Sequence, residues 1–332
     1  MEPLRIGVLG AARIAGVALA GPAKEIGHRL VAVAARDRAR AEEFARGHGV
    51  ERVLDSYAAV VADSEVEVVY NPLANALHGP WNLAAVTAGK HVLTEKPFAA
   101  NADEASEVRA AAERAGVAIM EAFHYHCHPL LHRLHELLAS GELGELRTVE
   151  ADMFMPAPGD TDPRWSLELA GGALMDIGCY NLHLLRGLAP WAGGALRLVA
   201  ARGGERAGRP GVDEWLDADL EYPGGATARA RCHMAADGWR FACRIVGSRG
   251  EAFVPEYVRP HLDDRIVVTT PSGSRVERLG TRPSYSYQLD AFAAHVREGA
   301  PLPGGAEDAV ATMRLVDDCY RAAGFGPRPR LA

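Results

Sequence analysis

The chain has 332 residues, with 36 Lys and Arg against 43 Asp and Glu and a formal net charge of −7. That length accommodates two domains or one large one, and a mildly acidic, mixed-sign balance excludes nucleic acid or an anionic membrane as the main partner. With 48% hydrophobic and 24% charged residues the composition is that of a globular protein with a filled core.

The N-terminus enters a strand-like run at once (LRIGVLG), which leaves no room for a signal peptide. No apolar stretch approaches the roughly 20 residues of a membrane helix. Five scattered cysteines, Cys127, Cys179, Cys232, Cys243 and Cys319, form no CxxC pair, so a reducing cytoplasm is the expected setting. Leu4–Leu9 predicts a strand that ends in Gly10-Ala11-Ala12-Arg13-Ile14-Ala15 and a helix start. This is a dinucleotide-binding turn with one departure: Ala12 stands where a glycine usually lets backbone approach a pyrophosphate. A plain strand–helix turn is the competing reading. A second strand, Leu30–Ala35, ends at Arg36 and Asp37. A carboxylate there suits the 2′-hydroxyl of NAD and a guanidinium the 2′-phosphate of NADP. Arg36 comes first, so NADP is favoured over NAD, although Arg36 also reads as one more surface arginine.

Strand and helix go on alternating. Arg52–Leu54 and Val66–Tyr70 are strand-like, with Ser56 capping a helix Tyr57–Ala62 between them. A loop, Asn71-Pro72-Leu73-Ala74-Asn75-Ala76-Leu77-His78, precedes a helix Trp81–Ala88 closed by Gly89. The strand around His91–Leu93 runs into Glu95-Lys96-Pro97. Asn101 caps a helix Ala102–Ala115 that stops at Gly116, and Val117–Glu121 is a sixth strand. Six strands in this pattern predict a doubly wound parallel sheet over residues 1–122. The loops at 10–15, 36–37, 71–78 and 95–97 then share its carboxyl edge, where such sheets bind ligands. Lys96, stiffened by Pro97, reads either as a surface turn or as an ammonium held near a redox cofactor.

The stretch Phe123-His124-Tyr125-His126-Cys127-His128-Pro129 invites a metal reading, but i, i+2 spacing does not gather ligands on one helix face, and no metal is expected. His126 could touch substrate. Beyond a helix Leu130–Ser140 the pattern changes to strand-like runs at 146–154, 196–201, 215–222, 226–234, 240–246, 252–255 and 265–270. They predict a second domain over 123–304 with a large, mostly antiparallel sheet. A final helix at about 305–324 is expected to pack back on the first domain. The helix Gly172–Leu188 carries Asp176, Tyr180 and His183 at i, i+4 and i+7 on one face. Three polar groups there form either a private hydrogen-bond network or the wall of a wet cleft.

A dinucleotide-type start, EKPF after a strand, GGALMDIGCYNLH on a later helix and PSYSYQLDAFAAHVREG near the end together resemble the Gfo/Idh/MocA oxidoreductase family. AVAARD, EKPF and DIGCY are most similar to its dihydrodiol dehydrogenase and sugar dehydrogenase branch. The resemblance implies a Rossmann domain and a C-terminal α/β domain whose open sheet joins homodimers or homotetramers. It implies that Lys96 contacts nicotinamide ribose and substrate hydroxyl, that Asp176 orients substrate, that Tyr180 is the acid/base and that His183 also contacts substrate. It places Asn75 and His78 beside the nicotinamide and makes Arg164 and Trp165 cofactor or substrate contacts. Ala12 departs from the family pattern, as does His126, where relatives often have arginine.

The expected function is NAD(P)-dependent hydride transfer between nicotinamide and a secondary alcohol or ketone of a sugar, cyclitol or trans-dihydrodiol. The rivals are a cofactor-binding sensor or scaffold of the same fold without chemistry, and an enzyme that recycles tightly bound NAD(P) internally.

Overall fold

The computed structural model describes residues 2–331. The chain divides into two compact units, residues 2–124 with Pro283–Ala311, and Tyr125–Arg282 with residues 312–331. In the first unit five strands, β1 (Arg5–Leu9), β2 (Arg29–Ala34), β3 (Val68–Asn71), β4 (His91–Thr94) and β5 (Ile119–Glu121), form a parallel sheet in the order β2-β1-β3-β4-β5. Its strands are buried on both faces, with Ile6, Val8, Val31, Val33, Val69, Tyr70 and Val92 all fully enclosed, as parallel sheets require. The expected strand at 52–54 is reduced to a single parallel bridge, Val53 to Val33. Three residues against an already paired β2 offer too few ladder bonds to extend it.

Local signals set most helix ends in this unit. Ser56 Oγ accepts from Ala59 N at 3.0 Å and Asn101 Oδ1 from Glu104 N at 3.0 Å, and Gly116 takes φ 64° at a helix C-cap. One helix begins well before the expected Trp81: it spans Asn75–Thr87 and runs through Gly79-Pro80. Proline removes one intrahelical bond, yet burial of Ala76, His78 and Gly79 holds the turn. Gly79 is also a close approach, since a Cβ there would lie 2.2 Å from Glu104 Cδ in helix Ala102–Ala115.

The second unit is built on an eight-stranded sheet. Its strands are β6 (Leu146–Phe154), β7 (Arg197–Glu205), β8 (Asp213–Glu221), β9 (Thr227–His233), β10 (Arg240–Gly247), β11 (Glu251–Val254), β12 (Arg265–Thr270) and β13 (Gly273–Arg278). Their order is β13-β12-β11-β10-β6-β9-β8-β7, antiparallel throughout except for β6 beside β9. The edge strand β13 has no apolar alternation to announce it; five of its six residues are exposed, and pairing to β12 makes it a strand. The helix read at 172–188 begins as a π-helical turn, Leu174–Gly178, and continues as α-helix Cys179–Gly187.

The C-terminal part of the chain is shared out differently from expectation. Helix Ser284–Glu298 belongs to the first unit, where Ser286 Oγ donates to Glu25 Oε2 at 2.6 Å. The last helix, Ala306–Ala322, passes into the second unit from Thr312 onward. There Thr312 Oγ1 accepts from Arg186 at 2.8 Å and the Tyr320 hydroxyl donates to Asp213 Oδ1 at 2.9 Å. Arg328 closes the arrangement. Fully buried, it pairs with Asp213 Oδ1, donates to the carbonyls of Gly171 and Gly211, both at 2.8 Å, and lies over the Tyr320 ring at 4.0 Å. Asp213 Oδ2 accepts the Leu174 N–H at 2.7 Å. Burial raises the Asp213 pKa, while Arg328 and the Leu174 amide pull it down.

Arg328→Met leaves that carboxylate buried without its cation and is expected to cost about 3–5 kcal/mol. Chemical denaturation checks this; a loss below about 1 kcal/mol would show that the pair does not hold the helix start in place.

Candidate active site

In the first unit β1 lies between β2 and β3, so the chain turns to opposite sides of the sheet at the carboxyl ends of β1 and β3. This is the switch point at which doubly wound sheets bind nucleotides. Gly10 takes φ 88° there, its N–H donates to Ala34 O at 2.6 Å, and a Cβ would come 3.0 Å from Leu73 Cδ2. Glycine is required by conformation and by space. Ala12 has an ordinary extended backbone (φ −74°, ψ 144°), so no strain attaches to the missing glycine. Arg13 and Ile14 are exposed on the first helical turn, which leads into a π-helical stretch, Gly16–Ala20.

Arg36 and Asp37 follow β2 and are both exposed. Asp37 Oδ1 accepts from Ala39 N at 2.9 Å and Arg40 N at 3.4 Å, capping helix Arg38–His48. The Arg40 guanidinium reaches back to Ala11 O at 3.2 Å, which puts a second cation, not singled out in the sequence, beside the β1 turn.

The segment after β4 is irregular backbone anchored by side chains. The Lys96–Pro97 peptide is cis. His78 Nδ1 meets Pro97 O at 2.6 Å, Asn82 Nδ2 donates to Phe98 O at 3.1 Å, Glu121 Oε1 accepts from Phe98 N at 2.8 Å and Glu104 Oε2 from Ala100 N at 2.7 Å. The Tyr70 hydroxyl donates to Glu95 Oε1 at 2.7 Å, and its pKa is raised well above the ordinary value by burial and by that carboxylate. Lys96 itself is half-buried. Asn71 is fully buried and donates to Asn82 Oδ1 at 2.8 Å and His78 O at 3.2 Å. The side chains of Asn71, His78 and Glu95, expected at the cofactor, therefore face inward and brace the loops; Pro72 is buried too, whereas Leu73 and Asn75 are partly exposed.

In the second unit Asp176 lies on the π turn, and Tyr180 and His183 on the α-helix that follows it. Asp176 Oδ2 lies 3.3 Å from Arg164 Nε, with Asp162 Oδ1 at 3.8 Å from the same nitrogen. Tyr180 and His183, 6% and 4% exposed, instead pack on Tyr125. Ring centroids of Tyr125 and Tyr180 are 5.9 Å apart, and the Tyr125 hydroxyl is 2.6 Å from His183 Nδ1. The network reading thus holds for His183, while Asp176 stays partly open. The His126 ring stands edge-on to His183 at 5.3 Å. Trp165, expected as a ligand contact, is buried, donates to Pro158 O at 3.3 Å and is covered by the Arg206 guanidinium at 4.9 Å. Tyr125 and Tyr257 were missed in the sequence, because tyrosines among histidines and strand residues carry no periodic signal.

The remaining histidines of the 123–129 stretch are occupied within the protein. His124 Nδ1 bonds the Ser284 hydroxyl at 2.8 Å, and His128 Nδ1 accepts from Leu130 N at 3.1 Å as a helix cap. Among the described residues no three His, Cys, Asp or Glu side chains converge as metal ligands, and no helix is long and apolar enough to cross a membrane.

The Gly10 turn, the exposed Arg36 and the anchored Lys96 loop on one sheet edge of the first unit fit a dinucleotide, the cofactor of an NAD(P)-dependent oxidoreductase. Residues 4–123 match the oxidoreductase family with an NAD-binding Rossmann fold and residues 131–253 the GFO/IDH/MocA C-terminal domain. The chain is similar to D-xylose 1-dehydrogenase (NADP(+)) 2 of Haloferax volcanii, 36% identical over 326 residues, 97% of this chain and 98% of the relative. It is also 36% identical over 227 residues to trans-1,2-dihydrobenzene-1,2-diol dehydrogenase of Oryctolagus cuniculus, 68% of this chain and 67% of that one. A crystal structure of a 3-ketoreductase from Actinomadura kijaniata, in complex with NADP and TDP-benzene, is similar at a TM-score of 0.87 and 29% identity, covering 97% of this chain and 98% of that one. This protein belongs to the Gfo/Idh/MocA oxidoreductase family.

The buried bracing makes one histidine a stability probe. Burial lowers the His78 pKa to about 4 against the pull of the Pro97 and Leu73 carbonyls, and Lys96 lowers it further. An unfolded imidazole titrates near 6.5, so the preference of the folded state for the neutral ring contributes stability that is complete above about pH 6.5. It is lost as pH falls toward about 4. The urea midpoint is expected to drop between about pH 7.5 and about pH 5, and H78Q to flatten part of that drop. An unchanged pH dependence in H78Q would exclude His78 as a contributor.

Proposed function

We propose that this protein is an NADP-preferring oxidoreductase that interconverts a secondary alcohol and a ketone on a neutral sugar, cyclitol or dihydrodiol-like polyol. The nicotinamide supplies the redox chemistry when bound, and the protein supplies orientation and electrostatic field. Tyr180 exchanges the proton of the substrate hydroxyl. A positioned phenol can pass a proton to and from a substrate oxygen, and the Lys96 ammonium is assigned to stabilise the charge that develops on that oxygen. Asp176, paired with Arg164, accepts a hydrogen bond from a second hydroxyl.

The observation that carries this reading is the anchoring of residues 95–100 by side chains on both their N–H and C=O groups. It fixes the backbone from which Lys96 projects, as catalysis by a positioned charge demands. The similar 3-ketoreductase offers further support. Structures exist of lysine and tyrosine variants of that enzyme, and the two substituted residues are separated along its chain by the same number of positions as Lys96 and Tyr180 here. The names of the relatives, a xylose dehydrogenase, a dihydrodiol dehydrogenase and a 3-ketoreductase, support a polyol-like substrate.

NADP is favoured because Arg36 is exposed after β2 with Arg40 nearby, while the Asp37 carboxylate is engaged as a helix cap. We also propose a cytoplasmic enzyme, in keeping with five free, buried cysteines, whose copies associate through the eight-stranded sheet. Light scattering after size exclusion tests the association; a monomer would refute it.

Lys96→Met and Tyr180→Phe are each expected to lower kcat at least about 100-fold, the scale of lost acid–base assistance, with NADPH affinity by fluorescence titration nearly unchanged. Wild-type turnover of D-xylose or another active polyol in both variants would remove these roles. Arg36→Ala is expected to weaken NADPH about 10–100-fold, the worth of a charged phosphate hydrogen bond, and NADH hardly at all. Equal losses for both cofactors would assign Arg36 elsewhere.

A further inference from the structure

We propose that Tyr125 is a positioning residue for the catalytic helix: its hydroxyl donates to His183 Nδ1 and so holds His183 as the Nε2–H tautomer, a hydrogen-bond donor for a substrate oxygen. The inference deepens the function proposed above and rests on it.

A neutral imidazole has one N–H and one acceptor nitrogen, and whichever nitrogen is engaged decides what the other offers. The Tyr125 hydroxyl is 2.6 Å from Nδ1 and both residues are buried. A phenol conjugates its lone pair into the ring, which makes it a better donor than acceptor, so the proton lies on the oxygen and Nδ1 accepts. The tyrosine is itself held. Tyr257 packs edge-on against it at 5.4 Å, and the Tyr257 hydroxyl donates to Asn181 Oδ1 at 2.7 Å. Asn181 Nδ2 in turn donates to the carbonyl of Arg231 in β9 at 2.8 Å.

A tether therefore runs from β9 through Asn181, Tyr257 and Tyr125 back to His183, two residues beyond Asn181 on the same helix. The Tyr125 ring also lies 5.9 Å from that of Tyr180, so one side chain bears on two residues of the catalytic helix. Packing alone needs no hydroxyl: phenylalanine would fill the same space without burying a polar atom. The hydroxyl contributes direction.

The test has a spectroscopic arm and a kinetic arm. In protein labelled with 15N-histidine, free of substrate, the His183 signal is assigned by its loss in H183Q. It is expected to be a single Nε2–H tautomer in the wild type and a mixture in Y125F. In turnover of D-xylose, or of the most active member of a polyol panel, Y125F is expected to raise KM about 3–10-fold, the scale of one hydrogen bond, with kcat nearly unchanged. His183→Gln carries an amide N–H near the Nε2 position and does not depend on Tyr125, so Y125F in that background should add no further loss.

An unchanged His183 tautomer in Y125F overturns the proposal, as do an unchanged KM or fully additive losses in the double variant. If the wild type turns over no polyol, the proposed function fails instead, and the spectroscopic arm alone decides the role of Tyr125.

Discussion

Buried backbone must find hydrogen-bond partners, and in this protein side chains meet that constraint where the chain is irregular. Between β4 and helix Ala102–Ala115 the loop has no ladder to join. Two carboxylates, Glu121 and Glu104, accept its N–H groups, while an imidazole and an amide, His78 and Asn82, meet its carbonyls. At the start of the helix over Leu174–Gly187 the same task falls to Asp213, which takes the Leu174 N–H, and to Arg328, which donates to the Gly171 carbonyl. Each side chain that binds a peptide group there also fixes where the neighbouring side chains begin.

Polar side chains here divide into enclosed and open ones. Asn71, His78, Glu95 and Trp165 are enclosed, for all four are buried and bonded within their own unit. Arg36, Lys96 and Asp176 keep exposure. In the second unit Asp176, on the π turn Leu174–Gly178, meets Arg164, and Tyr180 and His183, on the helix after it, pack on Tyr125. Such insertions are frequent at functional sites, and a second one lies in the helix after the Gly10 turn.

Much of the fold, and the family, was legible along the chain because the signals are local. Asn101 and Gly116 bound a helix through their own side-chain oxygen and φ, Ser56 starts another, and the apolar runs of β1 to β4 announce a sheet buried on both faces. The motifs around Lys96 and Asp176–Tyr180 are equally local, and they led to the family. What was not legible depended on distant residues. Nothing near Pro80 shows that the helix continues through it, since Glu104 and the burial of His78 decide that. Nothing in GSRVER marks β13, which exists only through pairing with β12. Nothing in the i, i+4, i+7 stripe marks the π turn on which Asp176 lies.

By itself, then, the sequence determined the strand–helix alternation, the helix caps, the Gly10 turn, the family and the polar residues of the helix near 174–187, because each follows from neighbours a few positions apart. Tertiary structure alone decided which polar residues are open and which are spent inside, that Arg328 near the C-terminus secures a helix that begins at residue 174, and that Tyr125 meets His183. Those outcomes depend on desolvation and on hydrogen bonds between groups far apart in the chain, whose partners no local pattern can name.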